Sequence, residues 1–82
     1  MSTLPPLVHH LDVCGLEAPE PLEKVLDALD RLPLGEHLCV LIEREPRPLY
    51  RILTNNGFAY QTSTLPGFLF QVTIWHMVAP DA

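Results

Sequence analysis

The chain has 82 residues, of which 48% are hydrophobic and 18% are charged. This composition indicates one small globular domain and not a disordered chain. The net charge is −5, and the five basic residues are spread from Lys24 to Arg51. Because nucleic-acid binding needs a concentrated basic surface, this distribution argues against a nucleic-acid-binding protein. No segment approaches the roughly 20 apolar residues of a membrane span, and Met1–Pro6 lacks the features of a signal peptide. We therefore expect a cytoplasmic protein that does not bind membranes.

The first half of the chain predicts a strand, a helix and a second strand. Alternating residues suggest a strand over Leu7–Val13, which ends at Gly15. Apolar residues at helical spacing predict a first helix over about Pro19–Leu32. A nearly continuous apolar run then predicts a buried central strand over about His37–Glu43.

The second half of the chain predicts a helix followed by two strands. The segment Glu43–Tyr50 leads into the second helix, and Gly57 suits the left-handed position after its end. A third strand is expected over about Phe58–Ser63, followed by a hairpin-like turn. The last strand is expected over about Phe68–Met77, where apolar and polar residues alternate.

The predicted order is β-α-β-α-β-β, which indicates an α+β two-layer α/β sandwich. A four-stranded mixed sheet carries both helices on one face, and the first two strands run parallel. We expect residues 1–82 to form a single domain, with a short flexible lead-in at residues 1–6 and a frayed tail at 78–82. The open sheet face, with Leu69, Trp75 and Met77, is a candidate weak homodimer interface.

Three separated motifs resemble known families and together span roughly Leu11 to Phe70. The first resembles the signature of the TusA/SirA-like sulfur carriers: Leu11-Asp12-x-x-Gly15-Leu16-x-x-Pro19-Glu20-Pro21. The other two, with the first, are similar to a TusA-like family of unknown function: Pro46-Arg47-Pro48-Leu49-Tyr50 and Gly57-Phe58. That family is sometimes fused to hemerythrin-type domains. The resemblance implies a TusA-like, SirA-like fold in a small bacterial-type protein.

Two positions depart from these families. The sulfur carriers place a cysteine directly before the first proline, where a helix N-terminus lowers the pKa of a thiol, but this chain has Ala18. Persulfide transfer from that position is therefore excluded. The second departure is Cys14, which stands where the related family usually has arginine. Cys14 is a candidate thiol for sulfur transfer or redox chemistry, or a neutral surface replacement, whereas Cys39 suits the core.

The candidate interaction surface joins the loop and start of the first helix to the start of the second. Its residues are Gly15, Leu16, Glu17, Pro19, Glu20, Arg44, Arg47, Tyr50 and Arg51. Pro19 and Pro21 lack N–H donors, and the nearby Glu17 and Glu20 repel anions, so we expect no strong anion site at the first helix start. The basic group at Arg44, Arg47 and Arg51 is a candidate for contact with an acidic partner or a small anion. The alternative is that these charges form an ordinary solvated surface.

The histidines are weak candidates for a metal site. His9 and His10 are adjacent on a strand and point to opposite faces, and no metal-binding spacing of His or Cys occurs. We therefore expect no metal site, no cofactor and no catalytic residue. The favoured function is a non-catalytic interaction or accessory domain with a protein partner. The alternatives are thiol chemistry at Cys14 and histidine-based binding of a metal or small ligand.

Overall fold

The computed structural model describes residues 7–77, so the lead-in expected at 1–6 and the tail expected at 78–82 lie outside this range. The elements, in chain order, are β1 (Val8–Asp12), α1 (Glu20–Asp30), β2 (His37–Ile42), α2 (Arg47–Asn55), β3 (Phe58–Leu65) and β4 (Leu69–His76). The predicted order and the four-stranded mixed sheet are confirmed.

The strand order in the sheet is β1-β2-β4-β3. β1 and β2 pair in parallel, as predicted, whereas β4 is antiparallel to both β2 and β3. The loops that follow β1 and β2 therefore lie side by side at one end of the sheet. The β3–β4 turn reaches the same end, because Ile42 at the end of β2 pairs with Phe70 near the start of β4.

The hydrophobic core lies between the two helices and one face of the sheet. Its most buried members come from both helices, from the central strands and from the end of β1: Val13, Val25, Leu49, Leu53, Val40, Val72 and Ile74. Leu38, Cys39, Val40 and Ile42 of β2 are all buried, which agrees with the prediction of a strand covered on most of both faces. This rigid layer forms the base on which the connecting loops rest.

The last strand begins at Leu69, one residue after its predicted start. Leu65 pairs directly with Leu69, so Pro66, Gly67 and Phe68 form the turn, and β3 continues beyond the predicted Ser63. Phe68, where the strand was predicted to begin, is instead a turn residue that is 91% exposed and has φ of 61°. Reversal of the chain between two directly paired residues requires this conformation, which bulky side chains rarely adopt.

Both helices begin with the same four-residue pattern. Pro19 and Pro46 occupy the N-cap positions, and a second proline follows two residues later in each helix. The patterns are Pro19-Glu20-Pro21-Leu22 and Pro46-Arg47-Pro48-Leu49. The Ala18–Pro19 peptide bond is cis. Both prolines of each pattern have a fixed φ, so the two helix starts are stiff.

Candidate functional site

An apolar groove lies between the first turns of α1 and α2, at the end of the sheet where β1 and β2 finish. Its volume is about 800 Å³. Side chains from the end of β1 and from β2 form the floor: Val13, Val40 and Ile42. All three are also core residues. The floor is therefore part of the folded core and is formed without a partner.

The walls of the groove come from the two proline-containing helix starts. Pro19, Pro21 and Leu22 line it from α1, and Pro46, Pro48 and Leu49 line it from α2. Proline rings have no side-chain rotamers to lose and keep φ fixed. A ligand that enters this groove would therefore order little of the protein, which lowers the entropic cost of binding.

Charged residues surround the groove, and two of its glutamates are already hydrogen-bonded. Glu43 Oε1 accepts the backbone N–H of Gly15 at 2.6 Å. Glu45 accepts hydrogen bonds from Arg47 Nε at 3.3 Å and from the Tyr50 hydroxyl at 3.2 Å. Within residues 7–77, Glu17 and Arg44 form no salt bridge and both are exposed. The rim therefore carries one carboxylate and one guanidinium that take part in no salt bridge among the described residues.

The helix starts offer few free N–H groups to an anion. The N–H of Glu20 donates to the Glu17 carbonyl at 2.9 Å, and that of Arg47 donates to the Glu45 carbonyl at 2.9 Å. The N–H of Leu49 donates to the Pro46 carbonyl, and the proline before it has no N–H. The positive ends of both helices are thus largely satisfied by local backbone, so the groove favours apolar groups over anions.

The predicted interaction surface is brought together only in part. Five of its members line the groove: Gly15, Leu16, Glu17, Pro19 and Arg44. The other four do not line it: Glu20, Arg47, Tyr50 and Arg51. The prediction also missed the floor and the second pair of prolines, although the repeated Pro-x-Pro-Leu pattern was visible in the sequence.

Tyr50 ties α2 to the edge of the sheet instead of facing the groove. Its hydroxyl lies 2.8 Å from Thr62 Oγ1, and its ring stacks on Tyr60 with centroids 4.6 Å apart. Burial raises the pKa of Tyr50 above its ordinary value, and the charge of Glu45 adds to the rise. Tyr50 therefore acts as a structural contact between α2 and β3.

Cys14 lies outside the groove lining. Its thiol donates to the Leu41 carbonyl with a sulfur–oxygen distance of 3.8 Å, and its backbone N–H donates to Asp12 Oδ1 at 2.9 Å. Burial raises the pKa of the Cys14 thiol, and the hydrogen bond and charge of Asp12 and the charge of Glu43 raise it further. A raised pKa lowers the thiolate fraction at neutral pH, which is the reverse of what a reactive thiol needs. Cys14 and Cys39 are both free cysteines.

The histidines are dispersed over the sheet. His9 Nε2 lies 2.5 Å from Glu36 Oε1, and His10 pairs with Cys39 on the opposite face. His76 Nε2 donates to the Leu32 carbonyl at 2.7 Å, which links β4 to the end of α1. Within the described residues, no group of three or more His, Cys, Asp or Glu side chains is placed to hold a metal ion.

The chain thus combines a small α+β fold with an apolar groove at one end of its sheet. The chain belongs to the DUF2249 family of uncharacterised conserved proteins, whose family profile matches residues 10–76. No curated protein and no solved structure matches the chain. Over residues 7–77, neither helix has the length and apolar character needed to cross a membrane.

Proposed function

We propose that this protein is a cytoplasmic, non-catalytic interaction domain that binds a protein partner in the groove between α1 and α2. The observation that carries the proposal is the pair of Pro-x-Pro-Leu helix starts facing one another across an apolar floor. Stiff walls and a buried floor give a site that recognises shape and apolar surface. Hydrogen bonds to the backbone already occupy the polar groups of the helix starts, which suits binding more than catalysis.

The ligand that fits this groove is an apolar side chain of a partner protein, next to a lysine or arginine. The floor and walls accept the apolar group, and the exposed carboxylate of Glu17 attracts the basic one. A basic neighbour also suits a chain with a net charge of −5. Charge complementarity of this kind favours correct partners and faster encounter.

We also propose that the domain is TusA-like, with a partner-binding role that does not use a thiol. The β-α-β-α-β-β order and the opening Pro19-Glu20-Pro21 support this relationship. Ala18, which replaces the cysteine of the sulfur carriers, lines the groove. The position that carries the reactive group in those proteins therefore belongs to the same site here, and an alanine adds apolar surface to it.

The two alternative functions have less support. Sulfur transfer by Cys14 requires an accessible thiolate, but this thiol lies outside the groove and its pKa is raised. Metal binding by His9 requires further ligands, whereas its nearest polar contact is Glu36 on the loop before β2. Neither arrangement has an observation that favours it over groove binding.

The test compares partner capture by a variant that fills the groove with capture by a control. Ala18→Arg places a long side chain in the groove, and Asn55→Arg adds the same charge at the exposed end of α2. Circular dichroism first establishes that both variants fold. The three proteins are then crosslinked in the native host, and their partners are identified by mass spectrometry. We expect the wild type and Asn55→Arg to capture the same partner, and Ala18→Arg to lose it.

A peptide copied from the crosslinked segment of that partner gives the second measurement. Backbone resonances of Val13, Leu22 and Val40 should shift on titration with it, and the Ala18→Arg variant should weaken binding at least tenfold. Equal capture by the wild type and Ala18→Arg contradicts the groove assignment. Absence of any partner contradicts the interaction function.

A further inference from the structure

The two edges of the sheet have different chemistry. β1 is five residues long, contains Asp12, and carries His9 in contact with Glu36. β3 is eight residues long, pairs with β4 without a bulge, and contains neither a charged residue nor a proline. Charges, bulges and prolines are the features by which proteins keep an edge strand from pairing with another chain. β1 is short and carries a charged residue, both of which disfavour such pairing. β3 has neither feature.

The lack of charge extends well beyond β3. No Lys, Arg, Asp or Glu occurs from Ile52 to Pro80. The whole β3–β4 hairpin is therefore neutral apart from His76, and the net charge of the chain arises almost entirely from the residues before it. The strand itself therefore places no charged side chain beside its backbone groups.

The hydrogen-bonding groups on the free edge of β3 follow from its pairing with β4. The N–H of Met77 donates to the Gly57 carbonyl at 2.8 Å, so this pair begins the ladder. In antiparallel sheets, hydrogen-bonded and non-bonded pairs alternate. Tyr60, Thr62 and Thr64 therefore direct their N–H and C=O groups away from β4. Within residues 7–77, β4 is the only strand that pairs with β3.

The outer edge of β3 remains accessible although α2 lies nearby. Tyr50 of α2 contacts the side chains of Tyr60 and Thr62, which point to the helix-bearing face of the sheet. Tyr60 and Thr64 are both exposed. These contacts involve side chains on one face of the strand, whereas the outward N–H and C=O groups lie in the plane of the sheet.

We propose that the outer edge of β3 pairs antiparallel with β3 of a second copy of the chain, joining the two sheets into one. This interface differs from the open sheet face with Trp75, because it uses backbone hydrogen bonds at the edge. No residue of β3 lines the groove, so both grooves remain available in the dimer. The proposal therefore does not depend on the proposed function.

A second copy suits this edge better than a charged partner. In a two-fold arrangement the same strand lies on both sides, and like charges opposite one another would oppose pairing. Since β3 carries no charge, no register of the two strands places like charges together. Pairs of threonine with threonine or tyrosine are favourable across strands. The charged β1 edge on each outer side would stop the sheet from growing beyond two copies.

The first test is the oligomeric state, with a matched pair of charge variants. Thr64→Lys places a charge on the β3 edge, and His10→Lys places one on the exposed surface of the β1 edge. Sedimentation equilibrium should show a dimer of the wild type, a dissociation constant at least tenfold higher for Thr64→Lys, and no comparable change for His10→Lys. A monomeric wild type up to millimolar concentration overturns the proposal, as does an equal effect of both variants.

The second test uses the wild-type protein alone and measures the protection of the backbone amides of β3. Amide hydrogen exchange is measured by NMR at low and high concentrations of the wild-type protein. The amides of Tyr60, Thr62 and Thr64 should gain protection at high concentration. Those of Gln61 and Ser63, which face β4, should be protected at both. The edge pairing is contradicted if the protection of the outward amides does not depend on protein concentration. It is also contradicted if the protection gained at high concentration appears only on the open face around Trp75.

Discussion

A carboxylate oxygen of Glu43 accepts the backbone N–H of Gly15 at a distance of 2.6 Å. The two residues are far apart in the chain, one in the loop after β1 and the other directly after β2. Their contact connects the two loops that lead to α1 and α2. The separation of the groove walls therefore depends on a hydrogen bond of a side chain as well as on the sheet beneath.

Removal of this hydrogen bond should destabilise the domain. Glu43→Ala leaves the Gly15 N–H without its protein acceptor, and a hydrogen bond of this kind contributes about 0.5–1.5 kcal/mol. Glu43→Gln retains an acceptor oxygen and should lose less. Urea unfolding of the three proteins checks the order. Equal stability of the alanine and glutamine variants would show that the hydrogen bond does not matter.

The hydroxyl pair of Tyr50 and Thr62 should show a measurable coupling energy. Tyr50→Phe leaves the half-buried Thr62 hydroxyl without its partner at 2.8 Å, at a cost of about 1 kcal/mol. Thr62→Val should cost a similar amount. The double variant should lose less than the sum of the two, because neither hydroxyl is then left alone. Thermal or urea unfolding of all four proteins measures the coupling, and simple additivity contradicts it.

Substitution of Phe68 should stabilise the protein. Its backbone has φ of 61°, while its exposed side chain contributes little burial. Asparagine tolerates the left-handed region better than phenylalanine does. We therefore expect Phe68→Asn to raise the free energy of unfolding by about 0.5–1 kcal/mol and Tm by a few degrees. Phe68→Ala keeps the conformational penalty and serves as the control. An equal gain for the alanine variant would show that removal of the exposed ring is responsible.

The reactivity of Cys14 should respond to Asp12. The hydrogen bond and negative charge of Asp12 both raise the pKa of the thiol. Asp12→Asn removes the charge and should lower that pKa, because the thiolate no longer faces a carboxylate. The rate of alkylation by iodoacetamide, followed at Cys14 by peptide mass spectrometry, should then rise at lower pH than in the wild type.

The buried Cys39 provides an internal control in the same samples. Its alkylation should remain slow in both proteins while they are folded. An unchanged pH profile at Cys14 contradicts the electrostatic effect of Asp12. Faster labelling of both cysteines would instead indicate partial unfolding.

Local sequence patterns were sufficient for the elements and for the class of fold, but not for the exact position of one turn. Apolar spacing located α1 and α2, and Gly57 adopts the predicted left-handed conformation with φ of 78°. The hairpin turn was predicted, but it was placed one residue too early, because Phe68 continues the alternation of apolar residues. Alternation of apolar residues cannot show at which residue the chain reverses, because that position depends on which residues pair across the hairpin.

The groove required information that no local pattern carries. Val13 and Val40 line the same groove because β1 and β2 pair in parallel, and this pairing also brings Pro19 and Pro46 to the groove from two separate helices. The individual prolines were recognised as helix starts, but their opposition follows from long-range pairing. The same reason explains why the contact of Tyr50 with Thr62 was not predicted, because it joins α2 to β3.

The absence of charged residues from Ile52 to Pro80 concentrates the charge of the chain in residues 1–51, which include the groove, and leaves the β3–β4 hairpin without Lys, Arg, Asp or Glu. Surface charges act over about 8 Å at physiological ionic strength and over less when salt is added. A basic ligand would be steered toward the acidic first part of the chain, so its association rate with the groove should fall as salt rises. Strand pairing at the neutral hairpin should be insensitive to the same change. Ionic strength thus distinguishes the two surfaces in one protein, and each can be strengthened or weakened without the other.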